Sequence, residues 1–211
     1  MTKVLIVDDH PIVRRGLKDI LIAEGGFEVS EASDGHEALS IVKNQSFDII
    51  ILDLDLPGIP GLELLKEIHR ISKKIRVLVL SVYPEDQFAL RILRAGAQGF
   101  VSKDAAPDEL IKAIRTILKG GKHVSEKVAD MLLSHYDTVT DRARHEKLSD
   151  REFEILCFIG EGRTIKEIAA KLSLSPATVS TYRTRILNKL DMKTTAELIR
   201  YGIENKLAAR K

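Results

Sequence analysis

Cysteine is almost absent from this sequence, with Cys157 alone among 211 residues. A single thiol excludes an intramolecular disulfide and a thiolate-bound metal cluster. Cys157 lies in the apolar segment EILCFI, which predicts a core residue. The 6 histidines show no metal-ligand spacing along the chain, so the sequence does not predict a zinc site.

Long apolar runs are also missing. No stretch approaches the roughly 18 apolar residues of a membrane span, and the N-terminus does not resemble a signal peptide. We therefore expect no membrane contact and a cytoplasmic location. A hydrophobic content of 44% allows a buried core, and 211 residues suit one large domain or two small ones.

An excess of one charge sign is also lacking, because the formal net charge is only +2. The positive and negative residues are nevertheless unevenly distributed along the chain. Residues 1–120 contain 16 Lys/Arg and 18 Asp/Glu, residues 121–146 contain 4 and 5, and residues 147–211 contain 13 and 8. The last segment thus carries +5. This asymmetry predicts a polyanionic partner for the C-terminal part alone.

Residues 1–121 alternate short runs rich in Val and Ile with amphipathic stretches, which is typical of a parallel sheet covered by helices on both faces. Strands are predicted at residues 3–8, 28–32, 47–54, 76–82 and 99–102, and helices at 11–23, 35–43, 61–71, 85–95 and 107–118. The first domain is therefore an α/β domain of five βα units. Asp34 and Glu37 predict a capping box at the second helix.

Residues 122–146 are predicted to be a linker that contains one short helix in SEKVADMLLSHY. Residues 147–211 are predicted to be an all-α domain of four helices at about 150–161, 165–172, 176–190 and 195–205. The S/T-x-x-E pattern marks three of the starts, and Ser175–Pro176 marks the other. Only SLS separates the second and third helices, which is typical of a helix-turn-helix.

Three acidic residues lie at ends of the predicted strands: Asp8 and Asp9 are at the end of the first strand, and Asp53 is near the end of the third. Ligands of open parallel sheets bind at the carboxyl ends of the strands. Three carboxylates brought together there would repel one another, and a divalent cation would relieve the repulsion. Mg²⁺ fits because it prefers oxygen ligands and is usually held by one or two carboxylates plus a phosphate.

Two further strand ends carry polar residues, since Ser81 closes the fourth strand and Lys103 follows the fifth. A hydroxyl, an ammonium and a metal ion around one carboxylate would stabilise the charge on a transferring phosphoryl group. A carboxylate is itself a known nucleophile for that transfer. The pattern therefore predicts a phosphoacceptor.

These residues, with Asp53 in the segment DLDLPGIPG, resemble the receiver domain of two-component response regulators over residues 1–121. The resemblance implies a flavodoxin-like (βα)5 fold with strand order 2-1-3-4-5. It also implies that a sensor histidine kinase phosphorylates Asp53, that Asp8, Asp9, Asp53 and the backbone carbonyl of Asp55 bind Mg²⁺, and that Ser81 and Lys103 bind the phosphoryl oxygens.

Phe100 matches the aromatic switch residue of that family, while Asp55 and Tyr83 occupy positions that tune the lifetime of the phosphoryl group. Asp104 replaces the proline that often follows the lysine, which leaves the geometry of the bond after Lys103 open.

A helical wheel of the predicted third helix of the C-terminal domain places Val179, Tyr182, Ile186 and Leu190 on one face, which should pack on the other helices. The opposite face carries small hydroxyl groups, an amide and a guanidinium, which suit the major groove of DNA: Ser180, Thr181, Thr184, Arg185 and Asn188. Four flanking groups are candidates for phosphate contacts: Lys166, Arg183, Lys189 and the backbone amides near Thr178.

The segments LSDREFEILCFIGEG and TIKEIAAKLSLSPATVSTYRTRILNKL resemble the LuxR/NarL-type helix-turn-helix. Together the two halves resemble a NarL/FixJ-family response regulator, and LSPATVSTYR is closer to the GacA/UvrY-like branch than to the commonest pattern of the family. The resemblance implies that Ser180, Thr181 and Thr184 read bases. Ser180 replaces a frequent lysine and Tyr182 a frequent histidine, so a consensus operator of other members does not transfer.

We therefore expect a transcription regulator that is switched by phosphorylation and binds double-stranded DNA as a homodimer. The fourth and fifth helices or the first helix could form the dimer, and the unphosphorylated receiver could instead mask the recognition helix. Two other interpretations were weighed: a phosphatase or phosphotransfer enzyme with an adaptor tail, and a four-helix protein-interaction module in place of the DNA-binding domain.

Overall fold

The structure is a computed structural model that describes residues 1–82, 85–126, 128–130, 144–205 and 207. The chain divides into two compact units, Met1–Val128 and Ala129–Lys211. No helix formed by these residues has the length and apolarity that a bilayer crossing requires. Tyr83 and most of the predicted linker helix lie outside the described residues, although residues 126 and 128–130 are helical.

Five parallel strands form the sheet of the first unit, in the order β2-β1-β3-β4-β5. The flavodoxin-like architecture and its strand order are thus confirmed. The elements alternate along the chain as β1 (Thr2–Val7), α1 (Pro11–Glu24), β2 (Phe27–Ala32), α2 (Gly35–Asn44), β3 (Ile49–Asp53), α3 (Gly61–Ile71), β4 (Arg76–Ser81), α4 (Glu85–Arg94), β5 (Gly99–Ser102) and α5 (Pro107–Leu118).

The central strands are apolar on both faces because both faces are covered by helices. All five residues of β3 are buried, as are the last four of β1. One face of the sheet packs with α1 and α5 in a core that includes Val4, Ile6, Ile51, Leu21 and Ile114. The register pairs Val7 with Leu52, so β1 and β3 end side by side.

The observed strands stop slightly earlier than the sequence predicted. β1 ends at Val7, β3 at Asp53 and β4 at Ser81. The Asp8 amide still donates to the Ala32 carbonyl, but the chain then leaves the sheet and α1 begins at Pro11. Asp8 and Asp9 therefore lie in the loop beyond the strand rather than within it.

A close backbone contact fixes the segment that follows β3. α3 begins at Gly61, and a Cβ atom there would lie 2.5 Å from Leu54 Cα. Only glycine allows this approach without a backbone shift. The contact holds the start of α3 against the residue that follows Asp53.

The second unit is helical among its described residues. A short 3-10 helix at Arg144–Lys147 precedes α6 (Asp150–Gly160), α7 (Ile165–Lys171), α8 (Pro176–Leu190) and α9 (Thr195–Glu204). α6 packs against α8 and α9, and α7 packs against α8. Residues 152–160 of α6 are all buried, including Cys157, whose predicted core position is confirmed.

The helix starts follow the S/T-x-x-E pattern with one variation. Ser149 and Thr164 form complete capping boxes with Glu152 and Glu167. Thr194 accepts from the Glu197 amide, but the Glu197 carboxylate accepts from the amide of Lys193 instead of closing the box.

At α2 the predicted capping box is incomplete in the same way. Asp34 caps the helix by accepting from the amides of His36 and Glu37. The Glu37 carboxylate accepts from the Ser33 amide, one residue before the N-cap. The sequence thus identified the helix start correctly, but the return hydrogen bond is displaced by one residue.

Candidate functional site

The carboxylates of Asp8, Asp9 and Asp53, which we call the acidic cluster, meet at the carboxyl edge of the sheet. They are brought together because β1 and β3 are neighbours that end at the same level. The side chains of Asp8 and Asp53 are each 1% exposed, and that of Asp9 is partly exposed. The guanidinium of Arg14 in α1 donates to the Asp8 carbonyl at 2.7 Å and helps to fix the loop.

Lys103 forms ion pairs with both buried carboxylates. Its Nζ lies 2.6 Å from Asp53 Oδ2 and 2.7 Å from Asp8 Oδ2. Its backbone amide donates to the Ser81 carbonyl at 3.0 Å, which fixes the position of Lys103 just beyond β5. The ammonium therefore bridges the ends of β1 and β3 from a strand on the far side of β4.

Burial dominates the ionisation of Asp53 and raises the pKa of its carboxyl from 3.8 to about 6. The charge and hydrogen bond of Lys103, and the Asp55 amide 3.1 Å from Asp53 Oδ1, oppose this rise. Burial alone would lower the pKa of the Lys103 ammonium, but its contacts with Asp53 and Asp8 raise that pKa above its ordinary value.

Oxygen donors suited to Mg²⁺ are present in the cluster. Asp8 Oδ2 and Asp9 Oδ1 are buried atoms that accept no hydrogen bond of good geometry from the residues that the structure describes. Nitrogen atoms of Lys103 and His10 lie 2.7 and 2.6 Å from them as ion-pair partners. The carboxylates of Asp8 and Asp9 fit a hard divalent cation, and the proposed carbonyl ligand of Asp55 stays a prediction.

Ser81 and Phe100 lie on the neighbouring strands β4 and β5. Ser81 closes β4 and is fully buried, and it pairs in register with Ser102 of β5. Phe100 is also buried, in register with Val79. The side chain that matches the family's switch residue is therefore already buried in this structure. The peptide bonds that the structure describes, including the one after Lys103, are all trans.

His10 is the residue of this site that sequence reasoning missed. Its Nδ1 lies 2.6 Å from Asp9 Oδ1 and 3.2 Å from Asp8 Oδ1. Together with the acidic cluster it offers ligand atoms that all lie within 4.8 Å of one another. The spacing of the histidines along the chain does not reveal this position. The available signal was the position of His10 directly after the two strand-end carboxylates.

In the second unit, α8 separates a buried face from an exposed one. Ser175 caps the helix by accepting from the Thr178 amide, and Pro176 occupies the first turn. Val179, Ile186 and Leu190 are buried as expected. Tyr182 is only half-buried, with the Arg185 guanidinium 5.7 Å from its ring centre, so the expectation of a core tyrosine was wrong.

The residues expected to read bases lie on the outward side of α8. Thr181, Thr184, Arg185 and Asn188 are exposed, whereas Ser180 and Thr178 are partly buried. The hydroxyls of Thr181 and Thr184 donate to the carbonyls of Ala177 and Ser180 within the helix. Their oxygen atoms and methyl groups still face outward.

The flanking cations differ in their surroundings. Lys166 is exposed near the start of α7. Arg183 donates to the Thr195 hydroxyl at 3.4 Å, and Lys189 Nζ lies 2.7 Å from Glu152 Oε2 of α6. Arg183 and Lys189 thus bind residues of their own domain. The contacts of all three side chains with DNA phosphates stay predictions.

Glu152 was not singled out by the sequence beyond its part in a helix start. Its side chain is 4% exposed and accepts from Ser149 as well as Lys189. Burial alone would raise the pKa of its carboxyl, but the hydrogen bonds from Lys189 and Ser149 lower that pKa below its ordinary value. The carboxylate therefore links the beginning of α6 to the end of α8.

Comparison with protein families matches both units. Residues 4–115 match the family described as response regulator receiver domain. Residues 146–202 match the bacterial regulatory proteins of the luxR family.

Similar proteins cover nearly the whole chain. The response regulator UvrY of Escherichia coli K12 is 36% identical over 211 residues, covering 97% of each chain. The response regulator GacA of Pseudomonas aeruginosa is 35% identical over 209 residues, covering 96% of this chain and 98% of GacA. A solved structure of RcsB from Salmonella enterica serovar Typhimurium, bound to promoter rprA in the presence of phosphomimetic BeF₃⁻, is 28% identical. Its TM-score is 0.67, and the match covers 95% of this chain and 97% of the RcsB chain.

Proposed function

Since this chain belongs to the NarL/FixJ-type response regulators of two-component systems, which join a receiver domain to a LuxR-type DNA-binding domain and regulate transcription, we propose that Asp53 is its phosphoacceptor. A sensor histidine kinase is the proposed donor, and double-stranded DNA is the proposed target of α8. Because that target is DNA, we place its action in the cytoplasm.

The bridging position of Lys103 is the observation that carries this proposal. An ammonium within 2.7 Å of two buried carboxylates offsets part of their negative charge before a phosphoryl group enters the site. Asp53 receives Lys103 on one oxygen and the Asp55 amide on the other, which fixes the plane of its carboxylate. Asp53 is thereby held ready to act as a nucleophile.

The phosphoryl transfer forms a bond between a carboxylate oxygen of Asp53 and the phosphorus of a phosphohistidine on the kinase. The phosphorus–nitrogen bond of the phosphohistidine breaks, and its imidazole nitrogen takes up a proton from water. Lys103 stabilises the negative charge of the transferred oxygens. The Ser81 hydroxyl, at the adjacent strand end, donates a hydrogen bond to one of them. Mg²⁺, when bound by Asp8, Asp9, Asp53 and the Asp55 carbonyl, supplies further neutralisation of that charge.

Phosphorylation changes the contacts of Ser81 and Lys103, because a phosphoryl group of about −1.5 to −2 charge replaces the single negative charge of the Asp53 carboxylate. Lys103 must then leave Asp8 or share its charge with the new oxygens. Both residues belong to the ends of β4 and β5, where Phe100 is packed. The response therefore reaches the surface around α4, β5 and α5, which we propose as a surface that controls dimerisation.

Two copies of α8 related by two-fold symmetry would bind adjacent half-sites in the major groove. Within each copy, base contacts are assigned to Ser180, Thr181, Thr184, Arg185 and Asn188, and phosphate contacts to Lys166, Arg183, Lys189 and the amides near Thr178. Dimerisation adds the contacts of two domains and thereby converts weak binding into specific binding. Masking of α8 by the unphosphorylated receiver is the competing route to the same switch.

Labelling with radioactive acetyl phosphate tests the acceptor. We expect stoichiometric incorporation into the wild-type chain in the presence of Mg²⁺ and none into Asp53→Asn. Asp55→Asn is the matched control, because it removes a nearby carboxylate but keeps Asp53, and it should still be labelled. Label that persists in Asp53→Asn at another residue would overturn the assignment. Repeated turnover of a foreign phosphoester would instead favour a phosphotransfer enzyme.

A further inference from the structure

The imidazole of His10 lies against the acidic cluster, and the proposed phosphoryl transfer does not use it. Nδ1 is 2.6 Å from Asp9 Oδ1 and 3.2 Å from Asp8 Oδ1. The His10 backbone amide also donates to Asp8 Oδ1 at 2.8 Å. Lys103 contacts the other carboxylate oxygen of Asp8, Oδ2, so His10 and Lys103 approach different oxygens of the same side chain.

The backbone of His10 is restrained in this position. Its φ of −90° and ψ of 109° are extended, and Pro11 follows as the first residue of α1. A residue before proline is confined to extended conformations, so the turn from β1 into α1 is stiff at this point. The ring is 56% exposed and can rotate on its own side chain while the backbone stays fixed.

The spacing of the donor atoms suits a six-coordinate cation. With metal–ligand bonds of about 2.1 Å, adjacent ligand atoms lie about 3 Å apart and opposite ones about 4.2 Å apart. The separation of 3.2 Å between His10 Nδ1 and Asp8 Oδ1 matches an adjacent pair. The separation of 2.6 Å from Asp9 Oδ1 is shorter, and a small rotation of the exposed ring lengthens it. Asp53 completes a set of four groups within 4.8 Å.

We propose that His10 Nδ1 is a ligand of the divalent cation bound by the acidic cluster, and that it shifts the preference of the site from Mg²⁺ towards transition-metal ions. The inference rests on the proposed cation site of the receiver and assigns one further ligand to it. Imidazole nitrogen binds Mn²⁺, Co²⁺ and Zn²⁺ well, whereas Mg²⁺ prefers oxygen. A cluster with oxygen ligands only would show this preference less strongly.

Metal titration of the full chain tests the proposal, using Co²⁺ and Mg²⁺ at one fixed pH. We expect His10→Ala to weaken Co²⁺ binding at least about tenfold, since even a supporting group of a metal site contributes that much. Mg²⁺ binding should change much less. His36→Ala is the matched control, because His36 is an exposed histidine at the start of α2 outside the cluster, and it should bind both ions as the wild type does.

Electron spin-echo spectroscopy of bound Mn²⁺ gives a second readout that does not depend on affinity. Coupling to an imidazole ¹⁴N should be present in the wild type and in His36→Ala, and absent in His10→Ala. Equal coupling in all three proteins, or an unchanged ratio of Co²⁺ to Mg²⁺ affinity in His10→Ala, would overturn the inference.

Two other outcomes are separable. Tighter binding of both ions by His10→Ala would show that His10 competes with the metal for Asp9, which also overturns the inference while leaving the phosphoacceptor proposal in place. A wild-type chain that binds neither ion would overturn the cation site itself, and with it the part of the proposed function that depends on Mg²⁺.

Discussion

Asp53 is a residue whose burial opposes its ionisation. Only 2% of it is exposed, and burial raises the pKa of its carboxyl to about 6 despite the contact with Lys103. Between about pH 4 and 6 the folded chain therefore holds a proton that the unfolded chain releases. The protonated Asp53 carboxyl therefore stabilises the folded state at acid pH. This stabilisation is lost as pH rises through about 6. The reactive residue is thus destabilising where it is ionised and able to accept a phosphoryl group.

Asp53→Asn should make this effect measurable, because asparagine resembles the protonated carboxyl. Without metal, the free energy of unfolding of the variant should exceed that of the wild type by an amount that grows from pH 4 to 6 and then levels off. A shift of about two pKa units corresponds to roughly 3 kcal/mol at the plateau. Urea unfolding of both proteins in EDTA, at a series of pH values, measures the difference. A difference that is constant with pH would contradict the assignment of the raised pKa.

Thr184 and Lys166 separate two kinds of DNA contact at the residue scale. Thr184 faces outward from α8, and Lys166 is exposed near the start of α7. Thr184→Ala should change base preference by about 1–3 kcal/mol at one position of the site. Lys166→Ala should weaken binding to all sequences alike and reduce the salt slope by about one. Titrations with variant duplexes at several salt concentrations test both, and a pure change of specificity in Lys166→Ala would show that its contact is misassigned.

At the scale of elements, α8 has a capped start and is linked to α6 near its end. Pro176 and the Ser175 cap define its start, while near its end Lys189 reaches Glu152 at the start of α6. Gly202 adds a close contact, since a Cβ atom there would lie 2.8 Å from Gly160 Cα, and this keeps α9 against α6. The surface of α8 is therefore presented by a rigid group of helices.

Lys189→Gln should test whether this lysine serves the fold or the DNA. We expect a loss of about 0.5–1.5 kcal/mol in the free energy of unfolding, because Lys189 is partly exposed and solvent screens the pair. The contact lowers the pKa of Glu152, so the loss should be present above its ordinary pKa and fade as pH falls through the lowered value.

Lys166→Gln is the matched control for this measurement, because it removes an exposed lysine from the neighbouring helix. Chemical denaturation at neutral and acid pH should show the loss in Lys189→Gln only. If Lys189→Gln instead keeps full stability and weakens DNA binding as strongly as Lys166→Gln, its main partner is the phosphate backbone.

For the whole molecule, the two units have opposite charge characters, which suits a division between signal and target. The receiver part is slightly acidic, and residues 147–211 carry the excess of 13 Lys/Arg over 8 Asp/Glu. A basic domain of that size binds DNA weakly by itself through phosphate contacts. Control therefore requires phosphorylation to change how many copies bind together or how accessible α8 is.

Beryllofluoride with Mg²⁺ should increase binding of the full chain to a duplex with two half-sites by tenfold or more. The increase should be much smaller on a duplex with one half-site, because the gain comes from the second copy. Asp53→Asn should show neither change. Sedimentation and binding titrations should be run together: a gain of the same size on both duplexes, without dimer formation, would favour unmasking of α8 over dimerisation.

Local sequence determined much of this protein. The spacing of the apolar residues predicted the five βα units and the helical domain. It could do so because the apolar residues of each helix or strand form the face that this element buries. The start of each helix followed from short-range capping pairs such as Ser149 with Glu152. The order of Asp8, Asp53, Ser81 and Lys103 along the chain was enough to identify the receiver.

Only the tertiary structure decided which of these side chains are partners. Lys103 meets Asp53 across 50 residues of sequence, and Lys189 meets Glu152 across 37. The return hydrogen bond of Glu37 to Ser33 and the half-buried ring of Tyr182 also departed from the expected pattern. Local patterns encode which face of an element is buried, whereas distances between side chains on different elements depend on how strands align and helices pack. The place of His10 beside the acidic cluster is such a distance.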